Sequence, residues 1–267
     1  MIGYKAQKQD LIDIHCHIVP YVDDGAEDID IAKEMLEEEY LQGVRTTVMT
    51  VHFRYGMFDT QIDKVKRYFT ELKEYLASSE MSDMDILLTR EYYCDERLNS
   101  LLDGYISGRD KVFYEDKEYS PEEEIIPFGK QKCILLEFSS GRVQDGEFDL
   151  YINKTLEAGL TPIIAHVERY PAVQSNASIV RRMQECGAYI QVNCGSLLSW
   201  KNSLEKKTAK ALMKYGMVDM LASDAHDLEK RSPNIGINYN YLSKNFGKNT
   251  IDRLLCGNAQ SLIYDIQ

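Results

Sequence analysis

Short apolar runs alternate with amphipathic stretches along almost the whole chain, and this alternation limits the fold more than any other feature. The runs are 11–17, 46–51, 86–90, 133–136, 161–165, 189–193 and 218–222. They are rich in Val, Ile, Leu and Thr, and most are of strand length. Between them, apolar residues recur at helical spacing. In 28–42 these are Ile31, Met35 and Leu36; in 59–78 they are Ile62, Val65, Phe69, Leu72 and Leu76. Gly43, Gly159 and Gly216 end three of the helical stretches, as a glycine past a helix C-terminus often does. Further helices are expected over 96–103, 147–158, 176–186, 203–215, 239–246, 249–256 and 258–264.

Strand–helix alternation of this kind predicts an α/β fold with a mostly parallel sheet. Seven strands fit a distorted, incomplete (β/α) barrel of TIM type, with a doubly wound open sheet as the competitor. The chain has no G-x-G-x-x-G or G-x-x-x-x-G-K-[ST] loop to support a nucleotide-binding version of the open sheet. The regularity breaks at 108–132, which is rich in Glu and Lys and holds two prolines. It is expected to be an inserted loop or hairpin within a single domain covering 1–267.

Acidic residues outnumber basic ones by 43 to 31, for a formal charge of −12. Such a balance argues against nucleic acid or an anionic membrane as the main partner. The opening stretch, MIGYKAQKQD, is polar, and no apolar run approaches the ~18 residues of a membrane span. A cytoplasmic protein without membrane insertion is expected; a homo-oligomer is left open. None of the six cysteines forms a C-x-x-C pair or opens a C-x5-R phosphate loop, which disfavours a thiolate zinc site and a cysteine phosphatase.

The polar residues at the strand ends carry the chemistry. His15 and His17 end the first strand, His52 ends the second and Glu91 follows the third. Glu137 ends the fourth, His166 the fifth, and Asp224 and His226 follow the seventh. All five histidines of the chain therefore lie at strand C-termini, which meet on one face of a parallel barrel. Strict alternation in Leu11–His17 would put Asp13, His15 and His17 on one side. Burying this many carboxylates without compensation costs several kcal/mol, and divalent cations would supply the missing charge. Imidazole and carboxylate donors without thiolate suit Mn²⁺, Fe²⁺ or Zn²⁺. So many donors imply two or three ions, with Glu91 or Glu137 available as a bridge. Arg169 and Arg231 lie just past strand ends, where guanidinium forks would match phosphate oxygens.

The segments D-I-H-C-H…D-D-G, P-I-I-A-H-V-E-R-Y and S-D-A-H…R-S-P resemble the PHP (polymerase and histidinol phosphatase) superfamily. They are most similar to its bacterial metal-dependent tyrosine phosphatases of the capsule-biosynthesis CpsB/CapC type, over about 11–265. The resemblance implies a (β/α)7 PHP barrel holding three ions, usually manganese. Matching motifs would make His15, His17, Asp24, His52, Glu91, Glu137, His166, Asp224 and His226 the ligands. Asp24 is preferred over Asp23 because the family's ligand is the second Asp of its Asp-Asp-Gly. Arg169 and Arg231 match the family's phosphate-binding arginines. The implied substrate is phosphotyrosine on a partner tyrosine autokinase that regulates capsular or exopolysaccharide synthesis. The expected mechanism is attack by a metal-bridging hydroxide, with Asp224 managing its proton and His226 available as an acid through water. A small-molecule phosphatase of the histidinol-phosphatase type and a PHP-type phosphodiesterase or exonuclease are the alternatives.

Overall fold

In the computed structural model, which describes residues 10–141, 143, 146–198 and 203–265, the first strand is β1 (Leu11–Cys16). Asp28 caps α1 (Ile29–Leu41) by accepting from the Asp30 and Ile31 amides. β2 (Val44–Phe53), α2 (Ile62–Ala77), β3 (Asp85–Tyr93) and α3 (Glu96–Ile106) continue the alternation. The 108–132 excursion contains an antiparallel hairpin, β4 (Val112–Tyr114) with β5 (Lys117–Tyr119), and one turn of helix, α4 (Pro121–Glu124). Then come β6 (Cys133–Glu137), α5 (Glu147–Glu157) and β7 (Thr161–Ile164). Two short helices, α6 (Pro171–Ser175) and α7 (Ser178–Glu185), lead to β8 (Tyr189–Asn193). α8 (Cys194–Leu198), α9 (Leu204–Lys214) and β9 (Met220–Ala222) follow. The remainder is α10 (Ile235–Phe246), α11 (Lys248–Asp252), a π turn (Arg253–Gly257) and α12 (Asn258–Tyr264). Beyond the helices expected from sequence, α6 and α8 appear, each of five residues, too short for a periodic pattern to show.

Seven strands form one parallel sheet in the order β1-β2-β3-β6-β7-β8-β9. A parallel bridge from Cys16 to Ala225 brings the far edge back to β1, so the sheet curls into a nearly closed barrel. The open-sheet alternative is thereby ruled out. One apolar cluster packs the outer faces of the strands against the helices. A second, smaller one collects Ile12, Ile14, Val48, Leu135, Ile163 and Met220 from strands all around the ring, which places it inside. Ala259, Leu262 and Ile263 of α12 join it, so the last helix plugs the N-terminal end of the barrel. None of the described helices is long and apolar enough to cross a membrane.

Asp13 does not share a face with His15 and His17. The β1–β2 register shifts between Asp13 and Cys16, as at a bulge. An irregularity of this kind breaks the two-residue side-chain period. Ile12 and Ile14 point into the barrel and Asp13 points out toward α1, where Glu39 also accepts a hydrogen bond from Thr47 Oγ1 (2.7 Å). The bulge then returns His15 and His17 to the interior.

Candidate metal centre

Inside the barrel, most strands are apolar toward the N-terminal end and polar at the C-terminus; Thr46 and Asp85, which bond the Tyr264 hydroxyl at the N-terminal edge, are exceptions. Following the inward positions, β2 reads Val48, Thr50, His52, and β6 reads Cys133, Leu135, Glu137. The floor is therefore dry and the rim carries the donors. Glu91, wholly buried, stands at the hub. Its Oε2 lies 3.3 Å from His15 Nε2, 3.3 Å from His17 Nε2 and 3.0 Å from His52 Nδ1; its Oε1 lies 2.8 Å from His166 Nε2. Glu137 approaches His52 and His166 at 3.9 Å each. Asp24 reaches His52 at 3.4 Å and His226 at 3.5 Å. Asp224 Oδ1 faces His15 at 3.5 Å and His17 at 3.6 Å. The structure thus gathers all nine side chains named from sequence around one rim.

The donors fall into three groups whose ligand atoms all lie within 4.8 Å of one another: His17, Asp24, His52 and His226; His15, His17 and Asp224; His52, Glu91 and Glu137. His166 stands outside these groups and joins through Glu91. His15 Nε2 and His17 Nε2 confront each other at 3.1 Å. Glu91 Oε2, His52 Nδ1, His166 Nδ1 and His226 Nε2 are buried and make no well-formed hydrogen bond. Buried polar atoms without partners are rare and call for an explanation. Divalent cations fit this donor set.

The electrostatics agree. Burial disfavours charge on His15 and His52, but Glu91 together with Asp224 or Asp23 outweighs it and lifts the imidazoles to about 9 and about 10. Burial also pushes Asp224 up, yet His15 and Arg169 overcome it and hold this carboxyl well below its ordinary range. Glu137, buried beside the charge of Glu91, is raised to about 7. Burial and His17 drive His226 down to about 4. Without ions, protons on two imidazoles balance the carboxylates, and cations would exchange with them.

Two candidate ligands sit on strained backbone. His166 has φ +30° and Asp224 φ +54°. Left-handed conformations of non-glycine residues cost of order 1–3 kcal/mol and concentrate at functional sites. Gly25 of the Asp-Asp-Gly motif is required by a close approach: a Cβ there would lie 2.1 Å from the His17 carbonyl oxygen.

Arg169 and Arg231 converge on the same carboxylate. Arg169 Nη2 lies 2.8 Å from Asp224 Oδ2, and Arg231 Nη2 lies 3.3 Å from Asp224 Oδ1. Tyr170, fully buried, anchors the Arg169 turn: its hydroxyl donates to the Ala165 carbonyl (2.8 Å) and accepts from the Phe138 amide (3.1 Å). The Arg231 loop closes on itself, with Asp227 Oδ1 accepting from the Glu229, Lys230 and Arg231 amides. Asp23, passed over in the sequence reading, is buried and accepts from His17 Nδ1 (3.0 Å) and the His52 amide (3.0 Å). A carboxylate behind a ligating histidine orients the ring. Its place beside Asp24 was the only sequence signal for it.

A family model described as capsular polysaccharide synthesis, CpsB/CapC, matches residues 11–264. The chain belongs to the CpsB/CapC family. It is 31% identical to tyrosine-protein phosphatase CpsB of Streptococcus pneumoniae over 261 residues, covering 96% of this chain and 99% of that one. It is 27% identical to tyrosine-protein phosphatase YwqE of Bacillus subtilis, covering 95% and 91%. A solved structure from work on YwqE and the pneumococcal CpsB, described as unique metal-dependent tyrosine phosphatases, superposes with a TM-score of 0.79 at 26% identity, covering 96% of each chain. A phosphotriesterase homology protein from Escherichia coli shares the fold alone, at 13% identity and a TM-score of 0.56, covering 96% of this chain and 99% of that one. The family is one of capsular polysaccharide synthesis, the curated relatives are tyrosine-protein phosphatases and the solved neighbour is a metal-dependent one; together they make this chain a metal-dependent tyrosine phosphatase.

Proposed function

We propose that this family member removes phosphate from tyrosine residues of a protein, with the whole chain acting as one catalytic domain. The residues that would hold the ions are His15, His17, Asp24, His52, Glu91, Glu137, His166, Asp224 and His226. The observation that carries this reading is Glu91: one buried carboxylate within 3.3 Å of the nitrogens of four histidines from three different strand ends. Glu91 would be the carboxylate shared between ions, since its two oxygens face different imidazoles. Donors without thiolate suit Mn²⁺, with Fe²⁺ or Zn²⁺ as substitutes.

Bound divalent ions supply a water acidic enough to ionise near neutral pH and offset the charge of a phosphoryl group. Arg169 and Arg231 grip the non-bridging phosphoryl oxygens. Their side chains are 34% and 38% exposed, so a phosphoryl group entering from solvent meets them at the rim. Asp224, the carboxylate at the rim nearest both arginines, is held ionised and would take up a proton of the attacking water only as the arginines move to the phosphoryl oxygens. His226, lowered to about 4, is neutral near pH 7 and suits a ligand better than a proton donor. Phenol, with a pKa of about 10, departs without a dedicated acid. The substrate is a bacterial tyrosine autokinase that regulates capsular or exopolysaccharide export, dephosphorylated in the cytoplasm.

Hydrolysis of a phosphotyrosyl peptide tests this reading. Activity is expected to vanish with chelator and return with Mn²⁺. Hydrolysis indifferent to chelator, or a strong preference for histidinol phosphate, would overturn it.

A further inference from the structure

Behind the candidate ligands, two buried amides are linked in a way that leaves each a single orientation. The peptide N–H of His166 can only donate, and it points at Gln191 Oε1 at 2.7 Å. This fixes the Gln191 amide, whose Nε2 then donates to Asn193 Oδ1 at 2.6 Å. Asn193 must therefore turn its Nδ2 outward, and it donates to Asp224 Oδ2 at 2.7 Å, an atom that can only accept. With a certain donor at one end and a certain acceptor at the other, neither amide can flip without losing two bonds. His15 Nδ1 also meets Gln191 Oε1, at 3.2 Å. Since Oε1 only accepts, His15 donates from Nδ1, which leaves Nε2, turned to the centre of the rim, as the nitrogen a bound ion would take.

We infer that Gln191 and Asn193 are positioning residues whose one-way hydrogen-bond relay sets the tautomer of His15 and turns Oδ1 of Asp224 toward the place the ions would take. The inference rests on His15 and Asp224 being ligands. The relay spans Asp224 Oδ2, which Asn193 and Arg169 share, and leaves Oδ1 facing the imidazoles. Both amide residues come from the inward positions of β8, and both are buried, Gln191 at 0% exposure and Asn193 at 3%. Polar groups buried this deeply next to a cluster of charge are stabilising only when every partner is present.

Two substitutions at one position separate the two ends of the relay. Gln191→Glu keeps an acceptor for His15 and His166 but has no proton to give Asn193. Gln191→Leu removes the acceptor as well. In Zn²⁺-loaded protein, long-range proton–nitrogen NMR is expected to show His15 protonated at Nδ1 in the parent and in Gln191→Glu. In Gln191→Leu that pattern should be lost and Zn²⁺ affinity should fall about 10–100-fold, the usual cost of removing a group behind a ligand. Gln191→Glu should bind Zn²⁺ within a few-fold of the parent while kcat on a phosphotyrosyl peptide falls and KM holds. Parent-like Zn²⁺ affinity in Gln191→Leu, or equal loss of both properties in the two variants, would overturn the relay. An unchanged Zn²⁺ stoichiometry in His15→Ala would instead sink the ligand assignment itself, which is a different failure.

Discussion

The two ends of the barrel interior are built from the same seven strands and share almost no chemistry. The floor is a dry cluster of Ile12, Ile14, Val48, Leu135, Ile163 and Met220, sealed by α12. The rim, a few residues further along each strand, is crowded with imidazoles and carboxylates in near contact. Floor residues lower the free energy of the fold by leaving water. At the rim, left-handed backbone at His166 and Asp224 raises it, and the buried charges hold only by pairing with one another. A parallel barrel tolerates such a rim because its loops, not its strands, cover that end. Stability and function are thus separated along each strand, so a substitution should damage one and spare the other.

The largest expected effect is at the hub. Glu91→Ala should cut turnover on a phosphotyrosyl peptide by roughly a thousandfold, the upper range for losing a charge-stabilising group, while the chelated protein still unfolds cooperatively. If cooperative unfolding disappears, Glu91 holds the barrel together and the contrast between floor and rim fails. Arg169→Ala and Arg231→Ala should each lower kcat/KM by about a hundredfold, with metal content by elemental analysis unchanged. Loss of metal in either variant would move that arginine from the substrate to the scaffold.

A floor substitution should do the opposite. Leu135→Ala is expected to cost about 2–5 kcal/mol of stability through the cavity it leaves. Turnover per folded, metal-loaded molecule should stay near that of the parent, and a fall comparable to that of the arginine variants would join the two ends into one functional unit.

The smallest effect sharpens the comparison through pH. The raised pKa values of His15 and His52, about 9 and about 10, add stability that is complete below their unfolded value and lost as pH climbs through the folded values. The depressed carboxyls of Glu91 and Asp224 add stability that is present above their unfolded values and lost on acidification. Chelated protein should therefore melt highest between about pH 5 and 6.5, where both contributions are intact. Saturating Mn²⁺ should move that optimum upward, because ligation needs neutral imidazoles. An optimum that does not move with metal would mean that the rim protons and the ions do not compete.

Much of the site was legible because each strand announces its own end. An apolar run that stops at His52, Glu137 or His166 marks both the strand and the position of the donor. What escaped had no such mark. Asp23 looks like its neighbour Asp24, and only the fold turns one behind His17 and the other toward His52 and His226. Gln191 and Asn193 read as ordinary polar residues of a strand until β8 is set beside β9. Asp13 was misplaced because alternation assumes an unbroken pleat, and β1 shifts register before Cys16.

The sequence by itself determined the class of fold, the order of its strands and the residue types waiting at their ends, since these follow from local periodicity and chain connectivity. Only the tertiary structure decided which carboxylate became the hub, which amides stand behind the candidate ligands and how α12 seals the floor. Those outcomes depend on side chains far apart in the chain meeting at distances of about 3 Å, where hydrogen-bond direction and desolvation take effect.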